Sequence, residues 1–99
     1  MTNEEIFTKL RRDLPFLQRE FGLKRLGVFG SWVRGSAHES SDVDLVAEFD
    51  QPSGLRFVAF AEHIEQLLGR KADILTSAGI ATIRNARIAR RIAESIVYV

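Results

Sequence analysis

The sequence predicts an α+β domain, close to α/β in character, with a small mixed β-sheet flanked by helices. Three observations predict it. The chain has 99 residues, 45% of them apolar and 27% charged, which suits one domain with one core over residues 1–99. Helical and strand periodicities alternate along it in the order α-β-α-β-α-β-α, the pattern of a sheet covered by helices. The connections between the strands are long enough for some of the pairing to be parallel.

From Thr2 to Phe21, the residues Ile6, Phe7, Leu10, Leu14, Leu17 and Phe21 fall within an arc of about 100° at a 3.6-residue period. This is an amphipathic helix. Thr2 and Glu5 have capping-box spacing at its start, and Gly22 can take the left-handed conformation after its end. Pro15 faces the solvent side, so a kink or two short consecutive helices are expected there. Leu23–Phe29 ("LKRLGVF") is β-compatible and stops at Gly30-Ser31, and Asp42–Phe49 ("DVDLVAEF") is a stronger strand. Between them "WVRGSAHESS" reads as a short helix and a polar loop.

Gln51-Pro52-Ser53-Gly54 breaks the chain again, with Ser53 as a candidate N-cap. A helix from about Leu55 to Leu68 should bury Phe57, Phe60, Ile64, Leu67 and Leu68 and end at Gly69. "KADILT", Lys71–Thr76, is a third strand. A last helix, roughly Thr82 to Ile96, carries Ile88, Ile92 and Ile96 on one side and Arg84, Arg87, Arg90 and Arg91 on the other.

Composition narrows the function classes. Fourteen basic against thirteen acidic residues leave a net charge of +1, too little to drive non-specific nucleic-acid binding, so no direct nucleic-acid partner is expected. The absence of cysteine excludes a disulfide framework and a thiolate zinc site. "MTNEEIFTKL" carries acids where a secretory signal would carry bases, and no apolar run approaches ~18 residues, so a cytoplasmic protein without a membrane partner is expected.

The chemistry concentrates in "FGSWVRGSAHESSDVDL", Phe29 to Leu45. Residues i and i+2 of a strand share a face, so Asp42 and Asp44 present their carboxylates together, with Val43 and Leu45 toward the core or straddling it. Two carboxylates that close resist joint ionisation unless a cation neutralises them, and magnesium, an oxygen-seeking ion that bridges carboxylates to phosphates, does so. Gly30 lets a phosphate approach the backbone, and Ser31 adds a hydroxyl donor. A helix opening at Ser31 or Trp32 would add unpaired N–H groups, with Arg34 in its first turn. Taken alone, the turn is a helix cap and the acids are a strand edge. Together they describe a metal clamp facing a phosphate cradle.

Other motifs are missing. Phe29 and Val33 stand where a nucleophile elbow around Ser31 needs glycines, and there is no Walker A lysine and no G-x-G-x-x-G run. His38 and His63 lack metal-ligand spacing.

Gly30-Ser31, a ten-residue spacer, Asp42-Val43-Asp44 and a later strand aspartate together resemble the DNA polymerase β-like nucleotidyltransferase superfamily. "LGVFGSWVRGSAHESSDVDLVAEF" is similar, more closely, to the minimal nucleotidyltransferases, whose antitoxin members are paired with HEPN-domain toxins. The resemblance implies that Gly30 and Ser31 hold the triphosphate of ATP and that Asp42 and Asp44 bind two magnesium ions. It also implies that Asp73 of "KADILT" is the third carboxylate, a metal ligand that helps activate the attacking hydroxyl. Arg34 is a further candidate for nucleotide binding. The implied activity is transfer of AMP from ATP to a hydroxyl, expected on a tyrosine of a cognate HEPN toxin, which is thereby neutralised.

Two other readings stay open: an antitoxin that only masks its toxin, and a small-molecule nucleotidyltransferase of the aminoglycoside kind, for which no acceptor domain is visible. The arginine face of the last helix suits solvent, an acidic partner surface or RNA contact, and the apolar "SIVYV" tail suits pairing with a partner or a second copy.

Overall fold

The helix that opens the chain is fixed at both ends by the residues its sequence nominates. The Thr2 side chain accepts the Glu5 amide at 3.2 Å, and Gly22, at φ 68°, donates its own amide to the Gln18 carbonyl. Between them α1 (Asn3–Phe21) runs without a break, so Pro15 does not divide it into two helices. Pro15 lies on the exposed side, where the carbonyl its ring leaves unpaired can be hydrated. The computed structural model describes residues 2–34, 42–50, 56–76, 79–80 and 83–99, with the backbone alone at 31 and 34. The Ser53 cap, His38 and the loop expected around 35–41 lie outside the described residues.

Among the described residues four strands, β1 (Leu23–Phe29), β2 (Val43–Phe49), β3 (Ala72–Thr76) and β4 (Val97–Tyr98), form one sheet in the order β3-β2-β1-β4. The strand β1 pairs antiparallel with β2, and β2 pairs parallel with β3. The mixed sheet therefore arises as expected, with the helix α3 (Arg56–Leu68) on the crossover between its parallel strands. On the inner face Leu26, Val28, Val43 and Leu45 are fully buried. They meet Ile6, Leu10 and Leu17 of α1 and Phe60, Ile64 and Leu68 of α3. Each such side chain contributes about 1.5–3 kcal/mol by leaving water. Phe60 sits edge-on to Phe21 and Phe49, with ring centres 5.4 and 5.2 Å away, so it ties both helices to the sheet. Phe7, Leu14, Phe21 and Leu67 pack at the margin of this core rather than within it.

The end of the chain differs from expectation. The last helix, α4 (Ala86–Ser95), starts later than the periodicity suggests, because Asn85 caps it by accepting the amides of Arg87 and Ile88. None of its residues is fully buried, and Ile88 is 49% exposed. The apolar tail pairs first within the chain: β4 (Val97–Tyr98) adds to the sheet beside Gly27 and Val28 of β1 and becomes its edge strand, with Val97 and Tyr98 exposed. Gly27 makes this possible. A Cβ there would run into Ile96, with Tyr98 and Val46 at 3.2 Å. Arg25 clamps the seam, with its guanidinium 2.8 Å from Glu48 and stacked 4.5 Å from the Tyr98 ring centre. The Arg25 hydrogen bond holds the Glu48 carboxyl below its ordinary pKa and raises that of Arg25.

Candidate active site

The Gly30-Ser31 turn and the acidic strand meet because β1 and β2 are antiparallel neighbours. Phe29 stands opposite Asp44 in their register, so the turn that follows β1 lies over the start of β2. Gly30 is buried there with φ 78°, a backbone conformation that costs a side-chain-bearing residue about 1–2 kcal/mol. A Cβ on Gly30 would collide with the Asp44 carboxylate. Glycine is therefore required twice at this position, by its backbone and by its neighbour, whereas Gly22 and Gly69 have the same conformation and open space around them.

The parallel pairing of β2 and β3 brings in the third acid. Asp44 and Asp73 are register partners, about 4.8 Å apart in strand spacing. Asp42 lies one residue before the start of β2, with its side chain exposed and its carbonyl accepting the Trp32 indole N–H at 3.2 Å. Trp32 is buried, and the Arg70 guanidinium stacks on it, 4.8 Å from the ring centre. It is thus a packing residue that ties the helical turn α2 (Ser31–Arg34) to the entrance of β2. The roles expected of the Ser31 and Arg34 side chains lie outside what is described. A single helical turn also adds little dipole, and its Val33 amide already donates to the Gly30 carbonyl.

These residues fit a hard divalent cation. Their donors are carboxylate oxygens, Asp44 and Asp73 lie side by side, and the bare Gly30 leaves the Asp44 carboxylate room against the turn. Among the described residues no three His, Cys, Asp or Glu side chains are already gathered into a cage. Magnesium does not demand one, since it is commonly held by one or two carboxylates with water and substrate phosphate completing the shell. Asp73 is exposed, which removes the oddity of an acid within an apolar strand. His63 serves the fold instead, since its Nε2 lies 2.6 Å from Asp13 Oδ2 and joins α3 to α1.

A cleft of about 730 Å³ opens over Gly30 and Asp44, within the size range of nucleotide-sized ligands. Phe29 lines its near side. Its far wall is α4, through Arg91, Ile92, Glu94 and Ser95. Neither Asp42 nor Asp73 is among the described lining residues. Sequence reasoning missed this wall and placed Arg91 on a solvated or partner-facing side. The signal available was Gly27, since a glycine inside a strand often marks the close approach of another backbone.

This arrangement, a glycine turn against a strand carboxylate with a second acid in parallel register, has the donors and the open backbone that a metal-bound phosphate needs. The nucleotidyltransferase domain family matches residues 9–99, and the chain belongs to it. It is accordingly a nucleotidyltransferase with the polymerase β-like fold. The protein adenylyltransferase MntA of Thermococcus cleftensis is 38% identical to it, over all of this chain and 97% of the relative. A solved structure, provisionally assigned as a minimal nucleotidyltransferase, superposes with a TM-score of 0.78 at 28% identity, covering 98% of this chain and 95% of the other. Two more distant structures share the fold. One is a chain of a toxin–antitoxin complex with AMP-PNP, with a TM-score of 0.63 at 16% identity, covering 99% of this chain and 72% of that one. The other is a chain from a complex of a tri-AMPylated Shewanella oneidensis HEPN toxin with its MNT antitoxin. Its TM-score is 0.55 at 13% identity, covering 97% of this chain and 66% of that one. Among the described residues no helix is long and apolar enough to cross a membrane.

Proposed function

We propose that residues 1–99 act as one antitoxin domain that transfers AMP from ATP to a hydroxyl, a tyrosine by preference, of a cognate HEPN-domain toxin in the cytoplasm. The observation that carries this reading is the contact of the Gly30 turn with Asp44, in register with Asp73. The relative's name as a protein adenylyltransferase and the HEPN toxin in one of the distant complexes support the choice of acceptor.

In this reading Gly30, with Ser31 and Arg34, holds the triphosphate, and Asp42, Asp44 and Asp73 hold two magnesium ions. The ions, when bound, neutralise the α-phosphate and the departing pyrophosphate. The toxin's hydroxyl oxygen bonds to the α-phosphorus as the bond between that phosphorus and the oxygen bridging to the β-phosphate breaks. Asp73, exposed beside Asp44, would receive the hydroxyl proton.

The test is to incubate the protein and magnesium with the toxin encoded beside it, using ATP labelled at either the α- or the γ-phosphate. The expected result is α-label on the toxin, no γ-label, and release of pyrophosphate. Complex formation without α-label would leave masking as the mode of neutralisation and overturn the proposal.

A further inference from the structure

We infer that Arg91, on the last helix, is a phosphate ligand of the nucleotide cleft, contributing to the selection of nucleoside triphosphate over monophosphate. The inference rests on the cleft being the nucleotide site, as proposed above, and adds a residue outside the Gly-Ser turn and the three aspartates.

The cleft over Gly30 and Asp44 is closed on its far side by Arg91, Glu94 and Ser95 of α4. A polyanion entering it meets Glu94 on the α4 wall, which repels phosphate, and Asp44 on the opposite wall, which does so until magnesium is bound. Ser95 offers no free donor, because its hydroxyl donates to the Ile92 carbonyl at 3.0 Å. Among the described lining residues Arg91 alone carries positive charge. Its guanidinium makes no ion pair with a carboxylate among the described residues, although Arg25 and Lys24 both do. An arginine facing a cleft with its donors uncommitted can grip a phosphate with two parallel N–H bonds, a geometry a lysine cannot reproduce.

The position of α4 gives the arginine its reach. The helix buries no residue fully and is moored at its end, where Ile96 lies over Gly27 and Val97–Tyr98 pairs with β1. Arg91 stands just over one helical turn before that mooring, close enough to be held in place and exposed enough to turn toward a ligand.

Calorimetric titration of the isolated protein with ATP and with AMP, in the presence of magnesium, tests this without the toxin. Arg91→Ala is expected to weaken ATP binding about tenfold or more while leaving AMP within about twofold, the loss expected of one charge-assisted contact. Arg91→Lys should fall between. Arg87→Ala removes the same charge from a residue outside the cleft lining and should leave ATP binding unchanged. Circular dichroism checks that each variant folds. Equal ATP affinity in Arg91→Ala and the unsubstituted protein overturns the inference alone, as does an equal loss for ATP and AMP or a matching loss in Arg87→Ala. Failure of the unsubstituted protein to bind ATP overturns both this inference and the proposed function.

Discussion

Gly30 and Gly22 have nearly the same backbone conformation and very different surroundings, so they separate what a turn needs from what a site needs. Gly22→Ala is expected to lower stability by about 1 kcal/mol, because only the left-handed conformation is penalised, and to leave AMP transfer intact. Gly30→Ala adds the collision with Asp44, worth about 1–3 kcal/mol more, and displaces the carboxylate. Urea unfolding together with the transfer assay checks both; a Gly30→Ala protein with full transfer would show that close approach at the turn is dispensable. Glu48 supplies a pH-dependent test at the same scale. Its folded pKa lies below its ordinary value of 4.5, so its stabilising contribution is present above that value and disappears as pH falls through the lowered one. The difference in Tm between the unsubstituted protein and Glu48→Gln should therefore be largest near neutral pH and vanish in acid.

At the scale of elements, legibility followed the range of the interactions. The caps at Thr2 and Gly22 and the burial of Val43 and Leu45 around Asp44 depend on neighbours within a few residues, and periodicity and turn chemistry disclosed them. The juxtaposition of Gly30 with Asp44 was legible through the ten-residue spacer and the resemblance it carries. The parallel register of Asp44 with Asp73 needed the sheet order, and the sequence offered only an acid in an apolar strand. The α4 wall was not legible. Its place depends on β4, a two-residue strand too short to show alternation, meeting a β1 that lies some seventy positions earlier. Gly27→Ala tests that mooring. Crowding Ile96 is expected to cost about 1–3 kcal/mol and to weaken ATP binding by shifting α4, although Gly27 does not line the cleft. Stability and ATP affinity measured on the same variant check it; lost stability with unchanged affinity would uncouple the mooring from the cleft.

For the whole molecule, the site straddles the join between the early strands and the end of the chain, so ligand binding should brace the fold. A ligand that binds only the folded state stabilises by about 2.7 kcal/mol at a hundred times its Kd. Magnesium and ATP together should thus raise Tm more than the sum of each alone, since carboxylates and phosphates complete one coordination shell. The excess should be lost in Asp42→Asn combined with Asp44→Asn. That same double variant gives the most direct test of the central claim, that this fold neutralises its partner by AMP transfer. The measurement is the intact mass of the cognate HEPN toxin after incubation with ATP, magnesium and either protein. AMP-sized increments are predicted with the unsubstituted protein and none with a double variant that still binds the toxin. An unmodified toxin in a stable complex with the unsubstituted protein, or equal modification by the double variant, would contradict the account.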